Sequence, residues 1–192
     1  MKILLISDLH TQKKALHVLE FFLEKYKVDL VLSAGDIVER TEPTTKYLDQ
    51  IFNLISKFNL KFIAVPGNNE SQESFKKLVK THSSIHLYPQ KFEGYTFYGV
   101  GGLGYDGEFP VKNPQNYRCD HKTIFVSHIP PIIEIIKKMP QKPSVHICGH
   151  LHNLSKSRWI GNMLLINLPS LMLGKAAILE LPTRKVKFIT SF

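Results

Sequence analysis

The sequence lacks the features that mark membrane, secreted and disulfide-rich proteins. Its 192 residues contain only two cysteines, Cys119 and Cys148, 29 positions apart, which excludes a disulfide framework and a Cys-x-x-Cys metal clamp. Its longest apolar runs, such as residues 3–6, are strand-sized and fall far short of the ~20 residues that cross a bilayer. Asp8 interrupts any secretory apolar segment, so we expect a cytoplasmic protein with no membrane partner.

The chain also lacks linkers, internal repeats and low-complexity segments, so residues 1–192 are predicted to form a single domain. Hydrophobic residues make up 43% and charged residues 21%, which excludes collagen-like and coiled-coil chains. A chain of this length buries roughly 70% of its unfolded surface, which is enough for a hydrophobic core. The oligomeric state is left open by these observations.

Acidic residues are scarce in the C-terminal part of the chain. Residues 112–192 contain 12 Lys and Arg against 3 Asp and Glu, whereas residues 1–111 contain 13 of each, so this part carries the whole net charge of +9. Such a balance attracts phosphate groups and nucleic acid, although many proteins carry it for solubility alone. No zinc finger, aromatic ribonucleoprotein motif or lysine-rich tail accompanies it, so nucleic-acid binding stays an alternative.

Three N-terminal segments repeat one strand-and-helix plan. Each has a short apolar strand, a polar turn and a stretch with apolar residues at helical spacing. The strands are predicted at 2–7, 29–34 and 60–65, and the helices at 15–26, 47–58 and 73–80. Asp8 and Asp36 are 28 residues apart, and Asp36 and Asn68 are 32 apart, about the length of one βαβ unit.

The remaining sequence is rich in strand patterns. We predict strands at 85–88, 95–100, 123–126, 145–148, 156–160, 163–167, 176–181 and 185–189, a helix at 132–138 and a polar loop over 101–116. A loop of this length is usually functional. Parallel units followed by antiparallel hairpins favour an α/β fold with two β-sheets face to face and helices outside.

Metal-ligating side chains follow the predicted strands in order. In open α/β sheets, ligands bind beyond the carboxyl ends of the strands. Residues i and i+2 of extended backbone point to the same side. The side chains of Asp8 and His10 can therefore reach one site together, and so can those of His150 and His152. Carboxylate, imidazole and amide donors together suit Mn²⁺, Fe or Zn²⁺ rather than Cu(I) or calcium. The residues at these positions are Asp8, His10, Asp36, Asn68, His128, His150 and His152.

Each element alone has a plain structural explanation. An Asp-x-His pair is common in turns, Gly35-Asp36 is typical of a helix-capping turn, and Pro66-Gly67-Asn68 is ordinary turn chemistry. Of the single elements, only the pair His150 and His152 favours a metal site by itself. The metal site is predicted from the ordered set as a whole. We expect Cys148 to lie in the core. Of the histidines outside the predicted metal site, we expect His146 in or beside a strand and His17, His82, His86 and His121 at the surface.

The ordered set Asp8-x-His10, Gly35-Asp36, Gly67-Asn68, His128 and Gly149-His150-x-His152 resembles the calcineurin-like metallophosphoesterases over essentially the whole chain. The resemblance implies a four-layer αββα sandwich with two mixed sheets. It also implies two divalent metal ions, with Mn²⁺ the first choice and Fe, Zn²⁺ or Ni²⁺ the alternatives. It assigns Asp8, His10 and His152 to one ion, Asn68, His128 and His150 to the other, and Asp36 to a bridge between them.

The resemblance implies a phosphodiesterase more than a monoesterase, similar to the small bacterial and archaeal members without a cap domain. The expected substrate is a small phosphodiester or nucleotide, attacked by a hydroxide held between the two ions, which in such sites lie about 3.5–4 Å apart. Asp36, Asn69 and His128 are the expected catalytic residues. Two alternatives remain: a nucleic-acid-binding protein or nuclease that uses the basic C-terminal part, and a non-catalytic scaffold. The complete set of seven competent ligands argues against the scaffold.

One position departs from the family pattern. Where the family often has Gly-Asn-His-Asp/Glu, this chain has Gly67-Asn68-Asn69-Glu70, so an asparagine replaces the histidine that usually protonates the leaving oxygen. An amide donates hydrogen bonds but gives up no proton. The hypothesis is that Asn69 orients the phosphate and that activity favours diesters or good leaving groups; the alternative is an ordinary turn residue.

Two further features carry no firm role. Glu39 stands where the family often has an aspartate, and no mechanism is assigned to it. In the 101–116 loop and just after it, Tyr105, Phe109 and Tyr117 are candidate contacts for a substrate base, with core packing the alternative.

Overall fold

The computed structural model describes residues 1–41, 45–102, 119–130 and 138–191 of the chain. Three strands alternate with three helices in its N-terminal part, as the apolar patterns predict. The strands are β1 (Lys2–Ile6), β2 (Leu30–Ser33) and β3 (Lys61–Ala64), and the helices are α1 (Lys13–Lys25), α2 (Lys46–Lys57) and α3 (Gln72–Lys80). Helix α3 begins after Ser71, whose hydroxyl accepts a hydrogen bond from the backbone N–H of Ser74 and so caps the helix.

The remaining described part consists mainly of strands. These are β4 (Gln90–Phe92), β5 (Tyr95–Val100), β6 (Thr123–Ser127), β7 (Val145–Cys148), β8 (Lys156–Ile160), β9 (Met163–Asn167), β10 (Lys175–Glu180) and β11 (Lys185–Thr190). Strands β5 to β11 confirm the sequence prediction within one or two residues at each end. The helix predicted at 132–138 and the loop candidates Tyr105, Phe109 and Tyr117 lie outside the described residues, apart from Lys138.

The strand predicted at 85–88 is wrong. His86 forms only an isolated bridge to Gly99, and the paired strand in this region is β4, further along the chain. Leu87 has a left-handed backbone with φ of 62°, which breaks the extended conformation. Leu87 and Tyr88 are both exposed, so the apolar pattern there marks no buried strand.

The strands form two mixed sheets, which confirms the predicted α/β fold. The first has the order β11-β10-β1-β2-β3, and the second has the order β4-β5-β6-β7-β9-β8. Strands β1, β2 and β3 run parallel in the first sheet, and β5, β6, β7 and β9 run parallel in the second. The hairpins β10–β11, β4–β5 and β8–β9 supply the antiparallel pairs.

The alternation of β1 shows how the layers are arranged. Leu4 and Ile6 pack in a cluster with apolar residues of α1 and α2, whereas Ile3 and Leu5 pack in a second cluster with residues of β6, β7 and β9. Strand β1 therefore buries one face under helices and the other against the opposite sheet. The predicted burial of Cys148 is confirmed, and both cysteines are free thiols. Among the described residues, no helix is long and apolar enough to cross a membrane.

Candidate metal centre

The loops that follow β1, β2 and β7 have an unusual backbone. A left-handed φ in a residue other than glycine is uncommon, costs on the order of 1 kcal/mol or more, and is concentrated at functional sites. Five of the seven predicted ligand residues adopt it: Asp8 (56°), His10 (50°), Asp36 (51°), His150 (70°) and His152 (27°). Backbone hydrogen bonds hold two of these loops together, since Asp8 N donates to Gly35 O at 3.0 Å and Leu9 N to Asp36 O at 2.8 Å.

Two glycines allow these loops to approach one another. A Cβ on Gly67 would lie 2.0 Å from Oδ1 of Asp36, and a Cβ on Gly149 would lie 1.9 Å from Oγ of Ser7. Both separations are far inside van der Waals contact, so only glycine fits at either position. These turns therefore bring the loops from β1, β2, β3 and β7 close enough for their side chains to converge.

The first group of converging side chains is Asp8, His10 and His152. Nε2 of His152 lies 3.4 Å from Oδ1 of Asp8 and 3.3 Å from Nε2 of His10. Oδ1 of Asp8 is buried, and no described residue gives it a hydrogen bond. A buried carboxylate oxygen without a donor is costly, and a cation is the partner that satisfies it. These residues therefore fit a divalent metal ion, with one oxygen and two imidazole nitrogens within 4.8 Å of one another.

The second group is Asp36, Asn68, His128 and His150. Nε2 of His128 lies 2.9 Å from Oδ1 of Asn68 and 3.3 Å from Oδ2 of Asp36. Nδ1 of His150 lies 3.0 Å from the same amide oxygen. Oδ2 of Asp36 is also 3.6 Å from Nε2 of His10, so this oxygen lies between the two groups. All seven predicted ligand residues are thus brought together, with Oδ2 of Asp36 between the two groups.

The ring of His128 is oriented by the strand end beside it. Its Nδ1 donates a hydrogen bond to the carbonyl of Ala34 at 2.8 Å, which directs Nε2 toward Asp36 and Asn68. A metal-binding histidine usually donates its other ring N–H in this way, because the second bond fixes the tautomer. His128 is fully buried, so its orientation is set by packing as well.

The electrostatics of Asp36 and His128 are linked. Burial alone would raise the pKa of Asp36, but the hydrogen bond and the positive charge of His128 outweigh it and hold that pKa at about 2. Burial likewise opposes protonation of His128, yet the hydrogen bond to Asp36 and its negative charge raise the pKa of His128 above its ordinary value. A metal ion that binds at Nε2 of His128 therefore competes with a proton for that nitrogen.

Glu39 makes a contact that the sequence did not indicate. Its Oε1 lies 2.7 Å from Nδ1 of His10, and its backbone N–H donates to Oγ1 of Thr11 at 2.8 Å. A carboxylate on the far nitrogen of a ligand histidine orients the ring and raises its basicity. Glu39 is therefore a positioning residue for His10, and the only sequence signal was its place three residues after Asp36.

Glu70 lies beneath the site and is almost completely buried. Its carboxylate accepts hydrogen bonds from the backbone N–H groups of Asp36 (3.0 Å), Ile37 (2.5 Å), Val38 (3.0 Å) and Gly67. Burial raises the pKa of Glu70 to about 7, with the Gly67 amide acting in the opposite direction. Through these bonds Glu70 joins the loop after β2 to the loop after β3, a role that the sequence did not reveal.

Asn69 contacts Asp36 twice. Its backbone N–H donates to Oδ1 at 2.7 Å, and its side-chain amide donates to Oδ2 at 2.9 Å. In this structure the residue that replaces the family histidine is therefore directed at the central carboxylate.

The surface assignment of His86 is wrong. Its side chain is buried, its Nδ1 accepts a hydrogen bond from the backbone N–H of Gly101 at 2.7 Å, and its ring meets Phe75 edge-on. Burial lowers the pKa of His86 to about 4, so the ring is neutral at physiological pH. The other expectations for non-ligand histidines are confirmed: His17, His82 and His121 are exposed, and His146 lies in β7.

Comparisons with known proteins agree with this geometry. The family model for calcineurin-like phosphoesterases matches residues 1–154. The DNA double-strand break repair protein Mre11 of Methanosarcina mazei is 26% identical over 152 residues, which are 68% of this chain and 25% of that protein. The chain thus spans only a quarter of that relative's length. An uncharacterized protein of Methanocaldococcus jannaschii is 26% identical over 201 residues, with 87% of each chain covered.

Solved structures with the same fold cover almost the whole chain. The protein TT1561 of Thermus thermophilus superposes with a TM-score of 0.76 at 18% identity, covering 98% of both chains. A structure described as a novel archaeal phosphodiesterase superposes with a TM-score of 0.65 at 18% identity, covering 99% of both chains. At these identities the similarity establishes the fold alone.

Proposed function

The chain belongs to the calcineurin-like phosphoesterase family, and we propose that it is a metal-dependent phosphoester hydrolase whose substrate is a small phosphodiester or nucleotide. The observation that carries the proposal is Oδ1 of Asp8, a buried carboxylate oxygen that no described residue hydrogen-bonds and that faces the Nε2 atoms of His10 and His152. Such a site is arranged for a cation, and a bound cation attracts the phosphate group of a substrate.

We propose a centre with two divalent ions. Asp8, His10 and His152 would hold one, and Asn68, His128 and His150 the other, with Asp36 shared. The oxygen and imidazole donors suit Mn²⁺ first, with Fe, Zn²⁺ and Ni²⁺ as alternatives. When bound, such ions supply a nucleophilic water at neutral pH and neutralise the charge of a transferring phosphoryl group.

The protein's own contribution is to hold these donors in place before the substrate arrives. Ala34 fixes the ring of His128, Glu39 fixes the ring of His10, and Asn69 holds both oxygens of Asp36. Preorganised dipoles and charges need no rearrangement during the reaction, which is why they lower the barrier effectively. In this proposal Asp36, Asn69 and His128 are the catalytic residues.

A preference for phosphodiesters with good leaving groups follows from Asn69. Its amide donates to Asp36 and has no proton to give to a leaving oxygen. Loss of a general acid commonly costs about 10²–10⁴ in rate for a poor leaving group, and little for a group that leaves as a stable anion.

The proposal is tested with a panel of aryl phosphate monoesters and diesters together with 2′,3′- and 3′,5′-cyclic nucleotides, assayed with Mn²⁺. We expect the diesters to be hydrolysed faster than the matching monoesters. The control is Asp36→Asn, which keeps the size of the side chain and removes its charge. Equal activity of Asp36→Asn and the wild type would overturn the two-metal assignment.

Nucleic acid is a second candidate substrate. One relative is a DNA double-strand break repair protein, although this chain spans 25% of it. The observation that favours this candidate in the chain itself is a basic surface at the edge of the second sheet.

A further inference from the structure

Strand β8 forms an exposed edge of the second sheet. Among the described residues it pairs with β9 on one side only, and its first four residues, Lys156 to Trp159, are all exposed. An edge strand presents free backbone N–H and C=O groups along its open side. We call the surface formed by Lys156, Arg158, Trp159 and Arg184 the basic edge.

Trp159 is the single tryptophan of the chain, and 54% of its surface is exposed. The guanidinium of Arg184 lies 4.5 Å from the centre of its ring, and Nη1 of Arg184 donates to the carbonyl of Asn162 at 2.8 Å. The arginine therefore holds the indole from one side, and much of the rest stays open to solvent. An exposed aromatic ring among cations is what sequence-tolerant stacking of nucleobases requires.

The part of the chain that contains the basic edge has few acidic residues. Residues 138–191, all of them described, contain eight Lys and Arg and one acidic residue, Glu180. Glu180 already lies 3.5 Å from the ammonium group of Lys2. The chemical complement of such a surface is a polyanion.

The basic edge begins beside the metal centre. Asn167 of β9 pairs with Lys156 on one side and with Cys148 on the other, and Cys148 directly precedes the Gly149-His150 turn. From there β8 runs away from the centre for about 13 Å, at roughly 3.3 Å per residue.

We propose that the basic edge binds single-stranded nucleic acid. Lys156 and Arg158 lie on the same face of the strand, about 7 Å apart, and contact successive phosphates. Trp159 projects from the other face, so the bound strand follows the open edge between the two faces and stacks a base on the indole. Because this surface lies beside the metal ligands and includes none of them, the binding requires no metal.

A second copy of the chain, paired edge to edge through β8, is the competing occupant. Charged side chains on an edge strand disfavour such pairing, and two copies would place the like charges of Lys156 and Arg158 opposite one another. The same charges attract a phosphate backbone. The surface thus favours a polyanion over a second copy.

The single tryptophan makes the test direct. Metal-stripped protein is titrated with a short oligothymidylate, and the Trp159 fluorescence is followed at several salt concentrations. We expect saturable quenching and a linear fall of log affinity with log salt, with a slope of about −0.7 for each phosphate contacted. The double variant Lys156→Gln/Arg158→Gln should reduce the magnitude of that slope by about 1.4.

Matched variants separate the basic edge from net charge. Lys57→Gln/Lys80→Gln removes two charges from exposed positions on α2 and α3 and should leave the slope unchanged. Trp159→Ala, followed by anisotropy of a labelled oligonucleotide, should weaken binding about 5-fold or more. The small-diester hydrolysis rate of all these variants should equal that of the wild type.

The following results would overturn the proposal. Oligonucleotide binding that leaves Trp159 fluorescence unchanged, or equal salt slopes in the two double variants, would place the contact elsewhere. If inorganic polyphosphate bound as tightly as the oligonucleotide, binding to the basic edge would depend on charge alone, without base stacking. Sedimentation showing a dimer that Trp159→Ala dissociates would assign the edge to a second copy. Failure of small-diester hydrolysis in the wild type would refute the proposed phosphodiesterase activity and leave the binding result standing.

Discussion

Asn69 donates two hydrogen bonds to Asp36, one from its backbone to Oδ1 at 2.7 Å and one from its side-chain amide to Oδ2 at 2.9 Å. Asp36 is nearly inaccessible to solvent, and its Oδ2 lies within 3.6 Å of the Nε2 atoms of His10 and His128. The residue that replaces the family histidine therefore contacts the carboxylate that lies between the two groups of candidate ligands. An imidazole at this position could also give up a proton, which an amide cannot.

We predict that Asn69→His raises the turnover of an alkyl phosphodiester, a substrate with a poor leaving group. The gain should approach the factor of about 10²–10⁴ that a positioned general acid contributes, because protonation of the leaving oxygen limits that reaction. The corresponding 4-nitrophenyl diester should change little, because its leaving group needs no proton. The measurement is kcat for both substrates with Mn²⁺. Unchanged alkyl turnover would remove Asn69 from the chemistry.

Glu39 should affect metal binding more than protein stability. We predict that Glu39→Ala weakens binding of one of two Mn²⁺ ions by about 10–100-fold, because His10 loses the carboxylate 2.7 Å from its Nδ1. Glu39→Gln, whose amide oxygen can still accept from Nδ1, should lie between Glu39→Ala and the wild type. Isothermal titration calorimetry separates the two binding events, and Glu24→Gln, at an exposed acid on α1, serves as the control. Equal loss at both ions would contradict a role through His10.

The ligand positions could be predicted because they depend on a rule about strands. Parallel strands end at one edge of a sheet, so polar residues placed just after the strands at Asp8, Asp36 and Asn68 must meet there. The histidines at 128 and 150 come from the second sheet, but they also follow predicted strands, so the same rule included them in the predicted site. The structure brings them to Asn68 Oδ1 at 2.9 and 3.0 Å.

The contacts that support the ligands could not be predicted in this way. Glu39 and Glu70 are acidic residues in loops, which usually point into water. Their partners are His10, 29 residues away, and the backbone of the loop that follows β2, so only the folded arrangement reveals them. The predicted exposure of His86 was wrong for the same reason, because Phe75 and Gly101 contact its ring from other segments of the chain.

The burial of His86 has a consequence for stability in acid. Its pKa is about 4 in the folded protein and 6.5 in an exposed histidine, so the unfolded chain takes up a proton first as the pH falls. A base with a lowered folded pKa stabilises the protein above pH 6.5 and loses that contribution as the pH falls toward 4. We predict a loss of about 2 kcal/mol in unfolding free energy between about pH 6.5 and pH 5 from this residue.

This loss is measured by urea unfolding of metal-free protein across that pH range. His86→Gln keeps an acceptor for the Gly101 N–H and cannot take up the proton, so it should flatten the dependence by the stated amount. His17→Gln, at an exposed position on α1, should leave it unchanged. If His86→Gln and the wild type show the same pH dependence, the ring is not the buried neutral group that the structure describes.

Metal binding at Asp36 and His128 should be coupled to proton release. The paired charges raise the pKa of His128, so a metal ion competes with a proton for Nε2 of this residue. Because a lower pH favours that proton, the apparent affinity for Mn²⁺ should rise with pH and level off above the raised pKa. Calorimetric titrations in two buffers of different ionisation enthalpy count the protons released, and we expect about one more for the wild type than for His128→Asn. Asp36→Asn removes the carboxylate that raises this pKa. The Mn²⁺ binding that this variant retains should therefore begin to strengthen at a lower pH than in the wild type. An affinity that does not change with pH would show that His128 is neutral before the metal arrives.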